Sequence, residues 1–460
     1  MAVVSSMENI SSPKLDDGWE AHASRADGVA AATKLLVSHL RNHKPMTELV
    51  EQIPEMLKEY LDMLLQLCPD DESHETRMRW AAAARVGMRE IVEVLDDIDT
   101  LIPGVIPAAV LARAGAEAVR WNLVDHQASD PALWNWLGKL FEQAHSDRDV
   151  RVTGESHSVA REYLRALAYH SAALDEQGLK AGFATARLIE LALPLLMLVH
   201  GNTHAALYAI DARHRGIPVR LARPGGGDDW RFVAIAAADM LADVHGQLIH
   251  GQRPPALEDM DPGVLRAAAA HLRKLWSLCP PVRKFNRHTV GDIRLSVISG
   301  YEQVMELLRE GTGEAMPAGA GAWRVADLSR GGAGALTVCS TAATAPGNGE
   351  IVAFCLEEGT KWHLGVVRRV RHSKRFVEIG IASLSVHPTP GEVDDGSAQH
   401  EFCFCDPVQH GGTVRLVGKT GSFNGKEILY AQRDGHVFKL HPLAQTLNGK
   451  GFDLRTYQVL

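Results

Sequence analysis

Long hydrophobic runs are missing from this chain. The most apolar stretch, "LIELALPLLMLV" at 188–199, is interrupted by Glu190. A bilayer-spanning helix needs roughly 20 apolar residues, so this stretch reads as a buried helix and no membrane insertion is expected. Cysteine is scarce too. The six present (Cys68, Cys279, Cys339, Cys355, Cys403, Cys405) are scattered over 460 residues, which fits reduced thiols in a cytoplasm rather than a disulfide framework. Only Cys403 and Cys405 stand close together, and without a second ligand pair they read as neighbours on one strand face, not as metal ligands. Positive charge is not in excess: the formal net charge is -8, which argues against a general affinity for nucleic acid or anionic membranes. Any basic site is therefore local. The opening "MAVVSSMENISSPKLDDGWE" has no basic segment followed by an apolar core, so a secretory signal is not expected.

Several signatures of chemistry are also lacking. There is no G-x-S-x-G elbow and no paired cysteine–histidine nucleophile. "RPGGGDDW" at 223–230 clusters glycines but lacks the Lys-Ser/Thr of a phosphate loop; it reads as a loop entering a helix capped by Asp228 or Asp229. His200 and His204 are four apart, but no Glu follows His200, and Gly201 with Asn202 suggests a turn, so both read as structural. The chain thus reads as a non-enzyme without metal or cofactor.

What is present is a soluble, globular composition, 46% hydrophobic and 23% charged, long enough for two or three domains. Residues 1–22 form a polar leader expected to be disordered, and 23–279 are expected to be a helical domain. In "MTELVEQIPEMLKEYLDMLLQL", Leu49, Ile53, Met56, Leu57, Tyr60, Leu61 and Leu64 make one stripe at helical spacing, with Pro54 predicting a kink or a helix start. Asp130–Pro131 and Asp261–Pro262 read as N-cap and first helical position. Polar segments at 145–158 and 216–230 interrupt the helical pattern. Trp134, Leu137, Gly138 and Phe141 match the opening of a tetratricopeptide unit, but no second copy follows, so an irregular bundle is expected rather than a solenoid. At Pro280–Pro281 the character changes. Short alternating runs such as "DIRLSVIS", "AGALTVCS" and "RFVEIGIASL", separated by Gly-rich turns, predict a β-barrel or sandwich over 280–390 and an accessory β-module over 391–460.

Two short motifs stand out at the start of the β part. "RKFNR" places Arg283 and Arg287 with three residues between them, and "DLSRGG" places Asp327, Ser329 and Gly332 on a strand and tight turn. Taken alone, the second motif is accounted for by side-chain turn hydrogen bonds and a glycine backbone shape. Taken together and in this order, the two motifs resemble the PilZ domain, a small antiparallel β-barrel that binds the bacterial messenger cyclic di-GMP. In that family R-x-x-x-R precedes the barrel and [D/N]-x-S-x-x-G sits on it. The resemblance covers roughly 280–388, including the paired strands up to Gly380, and the helical part resembles no family we can name. A helix and loop at 301–321 depart from the family pattern and stand where they could hold the arginines away from Asp327.

The expected fold is an irregular helical bundle, read from the helical pattern, then the PilZ-like antiparallel β-barrel that the resemblance implies, with a C-terminal β extension read from its alternating runs. The resemblance also implies a cytoplasmic cyclic di-GMP receptor with Arg283, Arg287, Asp327, Ser329 and Gly332 as ligand-binding residues. The chemistry is suitable. Guanidinium groups grip phosphate or the guanine O6/N7 edge, Asp accepts from guanine N–H groups, and glycine admits the ligand to the backbone. The helical part would dock on a protein partner. The alternative is a constitutive protein–protein adaptor whose PilZ-like domain has lost its ligand. The basic run "RRVRHSKR" at 368–375 (Arg368, Arg369, Arg371, Lys374, Arg375) reads as a solvated hairpin or as a phosphate-facing rim; it has no aromatics for base stacking on nucleic acid.

Overall fold

The computed structural model describes residues 25–42, 46–66, 74–145, 151–153, 158–201, 203–211, 216–221, 229–278, 285, 287–310, 321–338, 346–357, 359, 361–372, 376–423, 428–433 and 435–460. The chain divides into two compact units, Met1–Val282 and Arg283–Leu460. The leader, Pro280–Pro281 and Arg283 lie outside the described residues, as do the glycines of 223–230.

The first unit is built on helices α1 (Arg25–Asn42), α2 (Met46–Gln66), α3 (His74–Leu101), α4 (Ala108–Val124), α5 (Pro131–Ala144), α6 (Val159–Ser171), α7 (Leu179–Ala192), α8 (Ile235–Ile249) and α9 (Pro262–Trp276). The stripe read on α2 is its buried face, with Leu49, Tyr60 and Leu64 fully enclosed. The helix runs through Pro54 rather than starting there. The caps form as their chemistry requires: the Asp130 carboxylate accepts from Ala132 N–H and that of Asp261 from Val264 N–H.

Three expectations need correction. The apolar run 188–199 is not one helix. α7 ends at Ala192, Pro194 sits in a short 3-10 turn, and the rest enters strand β2 (Met197–His200). Asp229 precedes a strand, β5 (Trp230–Val233), not a helix. With β1 (Arg151–Thr153), β3 (Ala206–Ile210) and β4 (Val219–Arg220) these strands make a five-stranded antiparallel sheet, order β1-β2-β5-β3-β4, which the expectation of a helical domain did not include. The strands are two to five residues long, too short for an alternating pattern to register. His200 closes β2 and His204 lies in the turn before β3, so the two histidines share no helix face.

A charge cluster lies at the centre of this unit. Glu117 of α4 is fully buried, paired with Arg113 at 3.0 Å and Arg120 at 3.2 Å, and accepts from the Tyr169 hydroxyl at 3.2 Å. Arg165 of α6 pairs with Glu162 and with Glu190 of α7. Burial alone raises the Glu117 pKa, but the guanidinium groups of Arg113, Arg120 and Arg165 outweigh it and hold the group below the ordinary carboxylate range.

The second unit holds two closed antiparallel barrels. The first comprises β6 (His288–Thr289), β7 (Arg294–Ser299), β8 (Gly321–Ser329), β9 (Gly332–Val338), β10 (Ile351–Leu356), β11 (His363–His372) and β12 (Phe376–Ser385). Its order is β6-β8-β7-β10-β11-β12-β9, and a β8–β9 pairing closes a six-stranded ring. The second comprises β13 (Thr389–Asp394), β14 (Gln399–Phe404), β15 (Thr413–Lys419), β16 (Leu429–Arg433), β17 (His436–Asn448) and β18 (Phe452–Val459), closed in the order β13-β14-β15-β18-β17-β16. Each encloses its own apolar core.

Helix α10 (Tyr301–Glu310), which joins β7 to the segment before β8, belongs to the contact between the barrels. Val304, Met305 and Leu307 share one core with Val366 of the first barrel and Cys403, Cys405 and Phe452 of the second. Arg309 makes a two-pronged bond to Glu401, both contacts 2.5 Å, and Lys419 reaches Glu302 at 2.7 Å. Cys403 and Cys405 therefore face the same way, as read, and burial pushes both thiols up, Cys405 to about 12.

Because the Glu117 pKa is lowered on folding, its contribution is present above the unfolded carboxylate pKa and is lost as pH falls through the folded value. Glu117→Ala leaves buried guanidinium groups uncompensated and is expected to cost the first unit about 3–5 kcal/mol. Thermal unfolding at pH 7 checks this. An unchanged first transition would show that the cluster is not a stabilising contact.

Candidate functional site

The interruption between β6 and β7 places the first candidate residue. β8 pairs along one edge with β7, up to Arg324↔Arg294, and then with β6 through Asp327↔Thr289 and Leu328↔His288. β6 and β7 are thus one strand broken at 290–293. Its first piece carries Arg287, the residue before His288, alongside Asp327. An Arg287 Nη1–H donates to Asp327 Oδ1 at 2.5 Å across 40 positions of sequence. Both side chains are about one-quarter exposed. A held guanidinium has lost part of its rotamer freedom before any ligand arrives, which lowers the ordering cost of binding.

Ser329 and Gly332 build the turn between β8 and β9. The Ser329 hydroxyl donates to the Gly332 carbonyl at 3.2 Å and accepts from Gly331 N–H at 3.3 Å. Ser329 thus spends its hydrogen bonds on the turn. Gly332 has φ +148°, and a Cβ there would drive into the Ile381 carbonyl of β12, so the position admits glycine alone. Gly331 lies under the Phe285 ring, and the Arg330 guanidinium stands 5.9 Å from the centroid of that ring.

A residue that sequence reasoning passed over completes the site. Gly334 pairs with Asp327 on one side and with Gly380 on the other. A Cβ on Gly334 would lie 2.9 Å from both Asp327 carboxylate oxygens and 3.0 Å from Arg287 Nη1. The ion pair therefore lies flat on a bare strand. The signal was available in "GAGAL": glycines at i and i+2 of a strand fall on one face.

The structure brings Arg287, Asp327, Ser329 and Gly332 into one corner of the first barrel, while Arg283 lies outside the described residues. The helix that could have held the arginines away from Asp327 does not hold off Arg287: α10 packs its apolar residues into the inter-barrel core, and Arg287 reaches Asp327. The remainder of that insertion, 311–320, lies outside the described residues. The corner is floored by the bare backbone of Gly334 and forms a platform on the barrel. Two clefts lie elsewhere: one of about 550 Å³ on the second barrel, lined by Glu392, Asp394, Tyr430 and Arg433 among others, and one of about 240 Å³ by Asp292, Arg294 and Glu357. No metal-binding group of His, Cys, Asp or Glu, and no helix long and apolar enough to cross a membrane, occurs among the described residues.

Comparison with protein-family models, with curated proteins and with solved structures gives no match to this chain. The platform must therefore be judged on its own geometry.

Gly332→Ala is expected to destabilise the first barrel by about 3 kcal/mol, from strain at positive φ plus collision with backbone. The Gly334→Ala substitution is expected to leave the barrel folded while prising Arg287 from Asp327. Melting curves of the two variants separate these effects, and equal losses would mean that Gly334 serves the fold rather than the ion pair.

Proposed function

We propose that the platform on the first barrel is a cyclic di-GMP site and that the barrel is a PilZ-like domain. The single observation supporting this reading is the Arg287–Asp327 pair lying over Gly334. The D-x-S-x-x-G turn is explained by backbone geometry alone, but an arginine delivered from 40 residues away onto a glycine strand is not needed to close a barrel. A cyclic dinucleotide offers two phosphates and two guanines. Arg287 binds a phosphate or a guanine O6/N7 edge, Asp327 accepts from the guanine N1–H and N2–H₂ pair, and Gly334 lets a flat ring approach the strand. Arg283, four residues before Arg287, supplies the second phosphate contact from the segment leading into β6.

On this reading the protein is a receptor and effector. Binding at the segment 283–287, which directly follows the first unit, biases the affinity of the helical unit for a protein partner, a linkage between two sites. The alternative is a constitutive adaptor. One observation favours it: Arg287 already has a carboxylate partner in Asp327. The two readings differ in what Arg287 is for.

Titration calorimetry of the intact protein with cyclic di-GMP, with GTP as control, is expected to show micromolar or tighter binding. In the Arg283→Ala/Arg287→Ala double variant the heat is expected to vanish at unchanged melting temperature. A folded wild type that gives no heat would establish the adaptor instead.

A further inference from the structure

The glycine row continues beyond the corner already described. Gly334 of β9 pairs with Gly380 of β12, and Gly380 pairs with Arg369 of β11. Four neighbouring strands thus carry Asp327, Gly334, Gly380 and Arg369 in one lateral line, so all four project to the same face. That face is the outside of the barrel, because the flanking Ala333, Ala335, Ile379 and Ile381 belong to the core.

Both ends of the line are set by a β-bulge. On β8 the register steps from Val325↔Ala335 to Asp327↔Gly334, leaving Ala326 as the extra residue. On β11 it steps from Val367↔Ile381 to Arg369↔Gly380, leaving Arg368 as the extra residue. A bulge re-aims the side chain that follows it. Two bulges at the same level, on the two strands that flank the glycine pair, put an aspartate and an arginine at the two ends of a floor without side chains.

An arginine borders each glycine of that floor. Arg287 Nη1 lies 3.0 Å from where a Gly334 Cβ would be, and Arg369 Nε lies 3.9 Å from where a Gly380 Cβ would be. Cross-strand Cβ positions are about 5 Å apart, so the two arginine side chains border one glycine pair. Asp327 lies 2.5 Å from Arg287, and Glu378 lies 3.9 Å from Arg369.

We propose that Arg369 is a specificity-determining residue of the platform, holding a phosphate of the cyclic dinucleotide against Arg287 across Gly334 and Gly380. This rests on the reading of the platform as a cyclic di-GMP site. It assigns one of the five basic residues of 368–375 to the ligand and leaves Arg368, which is exposed at the bulge, to solvent.

The test is calorimetry of the full chain with cyclic di-GMP, comparing wild type, Arg369→Ala and Arg369→Lys at low and at physiological salt. Loss of one charge-assisted phosphate contact is expected to weaken binding about tenfold in Arg369→Ala. The same variant is expected to show a shallower salt dependence, with Arg369→Lys intermediate, since it keeps the charge and loses the fork. Should Arg369→Ala fail to fold, Gly380→Ala replaces it. A Cβ there meets Arg369 at 3.5 Å, an ordinary contact, yet raises the floor between the two guanidinium groups. Wild-type affinity and salt dependence in a folded Arg369 variant overturn this inference alone. A folded wild type that does not bind overturns the platform reading and this inference with it.

Discussion

The first barrel closes where strand β9 lies between β8 and β12, and that closure depends on backbones approaching more closely than a side chain allows. At Gly332 a Cβ would collide with the Ile381 carbonyl of β12, and the backbone there takes φ +148°. Two residues on, Gly334 leaves room on the outer face for a salt bridge to lie flat. One strand therefore does two jobs. Its inward residues Ala333 and Ala335 keep the core small, and its outward positions at Gly332 and Gly334 stay empty. What is proposed for the site follows from that emptiness, because Asp327 of β8 and Arg287 from before β6 meet over Gly334, where no side chain stands.

The inter-barrel helix α10 shows a second use of the same economy. Inserted between β7 and β8, it could have blocked the platform. Its apolar residues Val304, Met305 and Leu307 instead fix it in the core shared with the second barrel, and Arg309–Glu401 pins its far end. The faces are thus divided: one part of the outer wall of the first barrel, at Val366 and Leu364, is covered by α10 and the second barrel, and the neighbouring glycine row carries the charged groups.

Much of this was legible in the sequence, and the limits have physical causes. Alternating runs and Gly-rich turns foretold a β part, and the helical stripe on α2 with the Asp130 and Asp261 caps foretold the helices. The five-stranded sheet of the first unit was not legible. β2 and β5 are four residues each, and β5 is buried along its whole length, so neither shows a two-residue alternation. In the site, Arg287 and Asp327 were readable as motif residues, but their contact depends on the break between β6 and β7, which no local pattern encodes. Gly334 was overlooked because the motif ends at Gly332. Arg369 was visible only as one of a basic cluster, since a bulge changes which of two adjacent arginines faces the row.

The central claim is that cyclic di-GMP binds on the glycine platform of the first barrel. Hydrogen–deuterium exchange of the intact chain, with and without saturating cyclic di-GMP, locates binding without altering a residue. The account predicts slowed exchange in 283–289, across the 327–334 turn and along β11 and β12 near Arg369 and Gly380, with the cleft at Glu392 and Arg433 unchanged. Slowed exchange confined to that cleft or to the first unit, or none anywhere, would contradict it.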